Sequence, residues 1–254
     1  MNKTLLAVVA SLGALLSSVA TSLAASGDGT AAAARAQSAF FKGDASSLQA
    51  LVTELAPWGR SADEAEQYAY ALVNFRWLQH SVRAKRDNDA KSAGGACVAT
   101  LDTLLKRNPK SFEAHALQSA CYGYLANLGG MAAIRNGSRS GKSMEAALAL
   151  APQNPRVVLL DGFGVYFRPK FVGGDPLKGC QRFAEAVRLF GATSVGTALG
   201  SSPTVIEWGA AEAHYWQGRC QQQAGDAAAA KQSYQRALVL ADDFVAARSA
   251  LASL

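Results

Sequence analysis

The length, composition and charge of the chain suit a globular protein of one elongated domain or two small ones. It has 254 residues, of which 50% are hydrophobic and 17% charged, with a formal net charge of +6. This apolar fraction supports a core and argues against intrinsic disorder. The densest basic stretch, Arg83, Lys85 and Arg86, is followed at once by Asp87 and Asp89. Such mixed charge is typical of a solvated loop, so we expect no nucleic-acid partner.

The N-terminus has the pattern of a secretory signal peptide. Lys3 precedes a largely apolar run at residues 5–16, and Ser22 and Ala24 are the small residues that favour cleavage before Ala25. The run is shorter than the roughly 20 residues that span a bilayer. We therefore predict cleavage rather than a membrane anchor.

Export has consequences for the rest of the chain. We expect residues 1–24 to be removed and residues 25–254 to form one domain. No cysteine stands at the cleavage point to carry a lipid, so we expect no stable membrane insertion after cleavage. The predicted location is the periplasm, with secretion as the alternative.

A segment in the middle of the chain recurs near the C-terminus. Residues 113–121 have the sequence EAHALQSAC and residues 212–220 have the sequence EAHYWQGRC. Glu, Ala, His, Gln and Cys occupy the same places, at an offset of 212 − 113 = 99 residues. Such self-similarity indicates a repeat architecture.

A second recurring pattern is a Gly-Asp pair, at residues 43–44, 174–175 and 225–226. Glycine can end a helix in the left-handed conformation, and aspartate accepts hydrogen bonds from the exposed N–H groups that begin the next helix. The pattern therefore predicts a unit of helix, tight turn and helix. A bulky residue follows eight positions after each aspartate and a small or apolar one eleven positions after it: Val52 and Leu55, Phe183 and Ala186, Tyr234 and Ala237.

These features resemble the tetratricopeptide repeat (TPR), a helix pair of about 34 residues. The best match covers residues 211–244. The small and aromatic residues that the family places where its two helices touch fall at Gly218, Ala230, Tyr234 and Ala237. Three positions depart from the family pattern, with His214 for tryptophan, Gln221 for tyrosine and Asp242 for proline.

The resemblance implies an all-α fold, an α-solenoid or right-handed superhelix of about five irregular antiparallel helix pairs. Asn108-Pro109 and Asn154-Pro155 each predict the start of a new pair, because the residue before proline is disfavoured in a helix. Insertions are expected near residues 128–141 and 168–174. We expect the first to be a flexible basic loop, whose end at residues 136–143 only weakly resembles a phosphate-binding loop.

Four cysteines in an exported chain suggest two disulfides. In the implied repeat register, Cys97 lies on the second helix of one pair and Cys121 on the first helix of the next. Cys180 and Cys220 occupy nearly the same two registers further along. We therefore predict the pairs Cys97–Cys121 and Cys180–Cys220, and the alternative is four buried free thiols.

Catalytic and metal chemistry find little support in the sequence. There is no C-x-x-C pair, and His80, His115 and His214 fall in different repeats. The Glu-x-His motifs that begin at Glu113 and Glu212 could suggest a catalytic role, but residues two apart on a helix point in different directions. Their duplication favours a packing role. We expect no enzymatic activity, cofactor or metal.

The resemblance also implies where a partner would bind. TPR proteins usually hold a peptide or helix on the concave face formed by the first helices of their pairs. Aromatic and arginine side chains are the usual anchors of such surfaces, although each aromatic residue could instead belong to the core. The candidate partner-binding residues are Arg76, Trp77, Tyr124, Phe163, Tyr166, Tyr215 and Arg219.

Two functions from different classes follow. The first is a periplasmic scaffold or adaptor that binds a protein or peptide, with an envelope transport component as one candidate partner. The alternative is a ligand-holding accessory subunit of a solute transport system, which an apolar pore between the helices would favour and a solid core would remove.

Overall fold

The fold is entirely helical over residues 17–192 and 207–254, which the computed structural model describes, with side chains from Gly29 onward. No strand occurs in these ranges, which confirms the predicted all-α helical-repeat solenoid. The helices are α1 (Ser17–Lys42), α2 (Ala45–Glu54), α3 (Glu64–Arg83), α4 (Asp87–Arg107), α5 (Phe112–Asn127), α6 (Ala132–Leu150), α7 (Pro155–Phe167), α8 (Pro176–Ala192), α9 (Ala210–Gln223), α10 (Ala227–Leu240) and α11 (Val245–Ala252).

Successive helices form hairpins. Helix α3 packs on α4, α5 on α6, α7 on α8, and α9 on α10. We call the first helix of each pair its A helix and the second its B helix. Helices α1 and α2 form a less regular first pair, in which α1 packs mainly on α3, and α11 covers the end of α10. The described helices thus make five pairs with one terminal helix.

The tight turns follow the Gly-Asp pattern at residues 43–44 and 225–226. Both glycines have a positive φ, 72° and 83°. Each aspartate side chain accepts a hydrogen bond from the backbone N–H three residues later. The turn between α7 and α8 is different, because its left-handed residue is Gly173 rather than Gly174. There Asp175 accepts hydrogen bonds from two backbone N–H groups at the start of α8.

Close helix packing accounts for the repeated small residues. A Cβ atom at Gly218 would lie 2.6 Å from the ring of Tyr234, and one at Gly162 would lie 2.9 Å from the ring of Phe183. Both aromatic residues are fully buried. The same glycine-on-aromatic contact therefore joins α9 to α10 and α7 to α8, as expected for hairpins in one register.

The loop predicted at residues 128–141 is wrong, because α6 begins at Ala132 and includes most of the segment. Ser119 and Ser140 tie the two helices together, since each hydroxyl donates to the other residue's backbone carbonyl, at 2.8 and 2.9 Å. Gly137 lies in the helix with no neighbouring atom within 4 Å of a Cβ placed there. A helical glycine costs about 1 kcal/mol, and the packing on α5 offsets it.

The second expected insertion, near residues 168–174, is an extended connection between α7 and α8. It contains one short 3-10 segment, Lys170–Val172. The other A–B connections run over residues 43–44, 84–86, 128–131 and 224–226. This long connection carries exposed apolar side chains at Phe171 and Val172.

Both predicted cysteine pairs lie at disulfide distance. Cys97 on α4 faces Cys121 on α5 with 6.5 Å between Cα atoms, and Cys180 on α8 faces Cys220 on α9 with 5.7 Å. Each pair joins the B helix of one repeat to the A helix of the next, as the register predicts. The two bonds brace neighbouring hairpins.

The two ends of the solenoid meet. The rings of Phe41 in α1 and Phe244 before α11 stack with centroids 4.0 Å apart. The Ser38 hydroxyl donates to the Asp243 carboxylate at 2.6 Å, and the Trp208 N–H donates to the hydroxyl of Tyr68 at 3.2 Å. The described helices therefore close on themselves instead of leaving an open trough.

Most of the predicted signal peptide lies outside the described residues, which begin at Ser17. Cleavage before Ala25 would fall within α1. The side chains of that helix are described from residue 29 onward, so cleavage there would leave all of them in place. Across residues 17–192 and 207–254, none of the helices combines the length and the apolar content that crossing a membrane requires.

Candidate partner-binding surface

The A helices converge on a buried ion pair between Arg76 of α3 and Glu212 of α9. The Arg76 side chain is 2% exposed and that of Glu212 is 6% exposed. Arg76 also donates to the side-chain oxygens of Gln79, at 2.8 Å, and Gln37, at 2.6 Å. Its guanidinium stacks 5.2 Å from the centre of the Trp208 ring. A buried charge needs such partners to be tolerated.

A second buried ion pair joins Arg156 of α7 to Glu113 of α5. The Nε of Arg156 donates to the Glu113 carboxylate at 3.1 Å. Between the two ion pairs lies Tyr68, whose pKa is raised by burial and by the charge of Glu113. Glu113 and Glu212 are the first residues of the two copies of the recurring segment. In both copies this glutamate pairs with a buried arginine. The packing role predicted for the Glu-x-His motifs fits this arrangement.

Two of the candidate partner-binding residues are not at the surface. Arg76 is buried in its ion pair, because α9 and α1 close over it. Trp77 is 5% exposed and stacks on His80, with ring centroids 5.5 Å apart. The placement of Arg76 and Trp77 on an open groove is therefore wrong, because closure of the solenoid covers Arg76 and because Trp77 packs against His80 and Arg86 of its own hairpin.

Other candidates come together as a cluster of rings on α7 and α9. The Trp216 ring centroid lies 5.4 Å from that of Phe163, 5.9 Å from that of Tyr166 and 5.6 Å from that of Tyr215. Phe167, 48% exposed, adds an edge contact to Trp216 at 5.2 Å. These five side chains are only partly buried, or exposed. They give a continuous aromatic surface where two A helices meet.

Arg219 lies on this aromatic surface. Its guanidinium is 5.8 Å from the centre of the Trp216 ring and donates to the hydroxyl of Tyr215 at 3.1 Å. That hydrogen bond raises the pKa of Arg219. Unlike Arg76, Arg219 has no carboxylate within ion-pair distance among the residues that the structure describes. Its charge is oriented but not neutralised.

Arg83 of α3 extends the same positive surface. Its guanidinium stacks 4.5 Å from the centre of the Phe40 ring, and its pKa is lowered mainly by partial removal from water. It interacts electrostatically with the hydroxyls of Tyr124 and Tyr215. No carboxylate within the described ranges lies at ion-pair distance from it. Arg83 therefore lies near Tyr124 of α5 and Tyr215 of α9.

Tyr124 is the remaining candidate, on α5. Its hydroxyl accepts a hydrogen bond from Gln79 at 3.2 Å, and its ring meets Phe75 edge-on at 5.8 Å. Burial raises the pKa of its phenol. Tyr124 thus borders both the buried core and the surface near Arg83. We use the name aromatic-arginine surface for the residues Arg83, Tyr124, Phe163, Tyr166, Phe167, Tyr215, Trp216 and Arg219.

Three members of this surface were missed from the sequence. Trp216 adjoins the candidate Tyr215, and Phe167 adjoins the candidate Tyr166. Arg83 lies seven residues after Arg76, two helical turns along the same side of α3. The helical period could have identified Arg83. The sequence alone does not show that closure of the solenoid buries Arg76 and leaves Arg83 accessible.

The cysteine pair Cys180–Cys220 braces α8 against α9 beside this surface, because Cys220 packs on the same hydrophobic cluster as Phe163, Tyr166 and Trp216. Within the described ranges there is no group of three or more His, Cys, Asp or Glu side chains that could hold a metal ion. The chemistry that the surface offers is stacking and hydrogen bonding from fixed cations.

Comparison with known proteins finds a structural similarity. No protein-family model matches the chain, and no curated protein matches it either. A solved structure, the crystal structure of TTC0263, a thermophilic TPR protein in Thermus thermophilus, resembles it with a TM-score of 0.47 and 14% sequence identity. The similarity covers 82% of this chain and 97% of that one.

Proposed function

We propose that the chain is a non-catalytic scaffold that holds an acidic segment of a partner protein or peptide on the aromatic-arginine surface. The observation that carries the proposal is the pair of arginines, Arg83 and Arg219, stacked on rings with no carboxylate of the described chain opposite them. The two fully buried arginines, Arg76 and Arg156, each have a glutamate partner, whereas the charges of Arg83 and Arg219 remain available to a second molecule.

The mixture of rings and cations suits this kind of partner. Partly exposed aromatic side chains provide apolar contact area with few rotatable bonds to immobilise, and arginine provides donors in a fixed fork that fits a carboxylate. The hydroxyls of Tyr166 and Tyr215 already have partners, Gln223 and Arg219. They hold the surface in place before binding, which lowers the entropy lost on association.

We further propose that the protein acts outside the cytoplasm, in the periplasm. The support is the signal-like N-terminus together with two cysteine pairs at bonding distance, since disulfides persist in oxidising compartments. The alternative role, a ligand-holding subunit of a solute transport system, gains no support from the described residues. Where an apolar pore would run between the A helices, the buried residues include Tyr68, Arg76 and Arg156.

The scaffold proposal is tested by partner capture. Tagged wild type and the double variant Arg83→Glu/Arg219→Glu are incubated with a cell-envelope extract, and retained proteins are identified by mass spectrometry. The charge-matched control is Arg188→Glu/Arg236→Glu, at exposed positions on α8 and α10. We expect a partner retained by wild type and the control but lost from the double variant. The same set of proteins retained by all three would contradict the proposal.

The export proposal has its own test. The mass of the purified protein, measured with and without reductant, reports the N-terminus and the cysteines together. We expect a chain that begins at Ala25 and gains the mass of four hydrogens, two for each of two disulfides, on reduction. A full-length chain of reduced mass in both samples would reject export and bonding.

A further inference from the structure

A second surface, which shares no residue with the aromatic-arginine surface, carries exposed apolar side chains. They lie in the α5–α6 and α7–α8 connections and in the first turns of the helices that follow. They are 52% to 100% exposed, where large apolar residues are normally at least partly covered. We call them the apolar tip: Met131, Ile134, Phe171, Val172 and Leu177.

The repeat topology places both halves of the apolar tip at one edge of the molecule. Helices α5 and α7 are neighbouring A helices that pack on each other, so their connections to α6 and α8 emerge side by side. In the other A–B connections, at residues 43–44, 84–86 and 224–226, the described residues include no large exposed hydrophobic side chain. The apolar side chains are thus confined to one part of this edge.

The same segments are strongly basic. Residues 131–142 contain Arg135, Arg139 and Lys142 and no acidic residue. Residues 168–178 contain Arg168, Lys170 and Lys178 with a single acidic residue, Asp175. Their net charge is 6 − 1 = +5, whereas the whole chain carries +6. The two segments that carry the apolar tip therefore have a positive net charge.

We propose that the apolar tip docks on an anionic lipid surface. Apolar side chains that project between basic ones match a lipid interface, where they enter the boundary between headgroups and acyl chains while Lys and Arg contact phosphates. The tip residues project from turns and do not line a groove, and Phe171 makes no ring contact with any described residue. This proposal stands independently of the scaffold function.

The test is co-sedimentation of the full chain with vesicles. The vesicles are phosphatidylcholine alone or phosphatidylcholine mixed with phosphatidylglycerol. We expect binding only to the mixed vesicles, falling as salt rises. The apolar variant Ile134→Ser/Phe171→Ser should lose binding, and Arg135→Gln/Lys170→Gln should weaken it about 25-fold, or roughly fivefold for each charge removed. The control Val239→Ser/Val245→Ser, which alters exposed apolar residues elsewhere, should bind as wild type.

Three results would overturn the lipid proposal. Wild type that ignores both kinds of vesicle is one, and an apolar variant that binds as tightly as wild type is another. The third is a stable dimer that the apolar variant dissociates, with no vesicle binding, because the tip would then join two copies of the chain. Tip variants should still capture the protein partner, and Arg83→Glu/Arg219→Glu should still bind mixed vesicles, so the two proposals fail separately.

Discussion

Arg76 and Arg83 lie two turns apart on the same helix, yet they have opposite environments. Arg76 is buried against Glu212 and hydrogen-bonded to two glutamines, whereas Arg83 stacks on Phe40 with no carboxylate of the described chain beside it. Both guanidiniums lie over aromatic rings. The difference is therefore the counter-ion and not the stacking.

The same contrast separates the centre of the molecule from its aromatic-arginine surface. Where the A helices converge, each arginine meets a glutamate, and charge serves the fold. On α9, Arg219 lies among rings without such a partner. Arginine and aromatic residues together do not mark a binding surface. The proposal for α9 rests instead on the absence of a described carboxylate beside Arg219.

The largest effect is expected on removing the counter-ion of Arg76 at the centre of the molecule. Glu212→Ala leaves Arg76 buried and unpaired, so we expect the free energy of unfolding to fall by about 3–5 kcal/mol in urea denaturation. The exposed ion pair of Arg35 and Glu54 provides the control. Glu54→Ala should cost about 1 kcal/mol or less.

Replacing both residues of the buried ion pair provides a second test. Arg76→Met/Glu212→Leu removes both buried charges and should recover most of the lost stability. Equal losses for Glu212→Ala and Glu54→Ala would mean that the buried ion pair does not hold the two ends of the solenoid together.

The cysteine pairs come next in expected effect. Their sequence separations are 24 and 40 residues, for which loop closure predicts a loss of about 3–4 kcal/mol on replacing either pair with serines. Cys180→Ser/Cys220→Ser should also weaken partner capture, because Cys220 lies beside Arg219, whereas Cys97→Ser/Cys121→Ser should not. Unfolding midpoints that are identical with and without reductant would contradict the bonds.

Two glycines test the helix packing. At Gly218 an added Cβ would lie 2.6 Å from the Tyr234 ring, so Gly218→Ala should cost about 1–3 kcal/mol by overpacking. Gly137 has open space around it inside α6, so Gly137→Ala should stabilise by about 0.5–1 kcal/mol. Denaturation curves measure both. Destabilisation by Gly137→Ala would favour the loop that the sequence predicts.

The smallest expected effect is on pH dependence. Burial lowers the pKa of His80, with help from Arg83 and Arg86, and burial with Arg236 lowers that of His214. Below about pH 6.5 the unfolded chain takes up protons that the folded chain does not. Stability should therefore fall as the pH drops through this window. The variant His80→Gln/His214→Gln should lose less stability as the pH drops. An unchanged slope of stability against pH would contradict the role of these two histidines.

Much of the fold was accessible from the sequence because the signals are local. The Gly-Asp turns and the small residues at helix contacts depend on the near neighbours of each residue. The repeated segment is likewise recognisable from a short stretch of sequence. These signals predict the hairpins, and the repeat register that the TPR resemblance implies predicts both cysteine pairs. The helix at residues 132–141 was missed because contacts between Ser119 and Ser140 outweigh its glycines.

The candidate site was only partly predictable, since it depends on how the two ends of the chain meet. Arg76 and Glu212 are 136 residues apart in the sequence, and no local pattern predicts that they pair. Helical register did bring Phe163, Tyr166, Tyr215 and Arg219 to one surface. Helical register alone does not predict which parts of the A helices are covered when the solenoid closes.

Site-specific crosslinking at Phe167 tests the aromatic-arginine surface most directly. A photoreactive phenylalanine there, at the exposed edge of the ring cluster, is compared with one at Val239, which is also exposed. We predict a crosslinked partner at position 167, none at 239, and loss of the product when Arg219→Glu is added. Crosslinks of equal yield at both positions, or a product at 167 that survives Arg219→Glu, would contradict a partner held there by that charge.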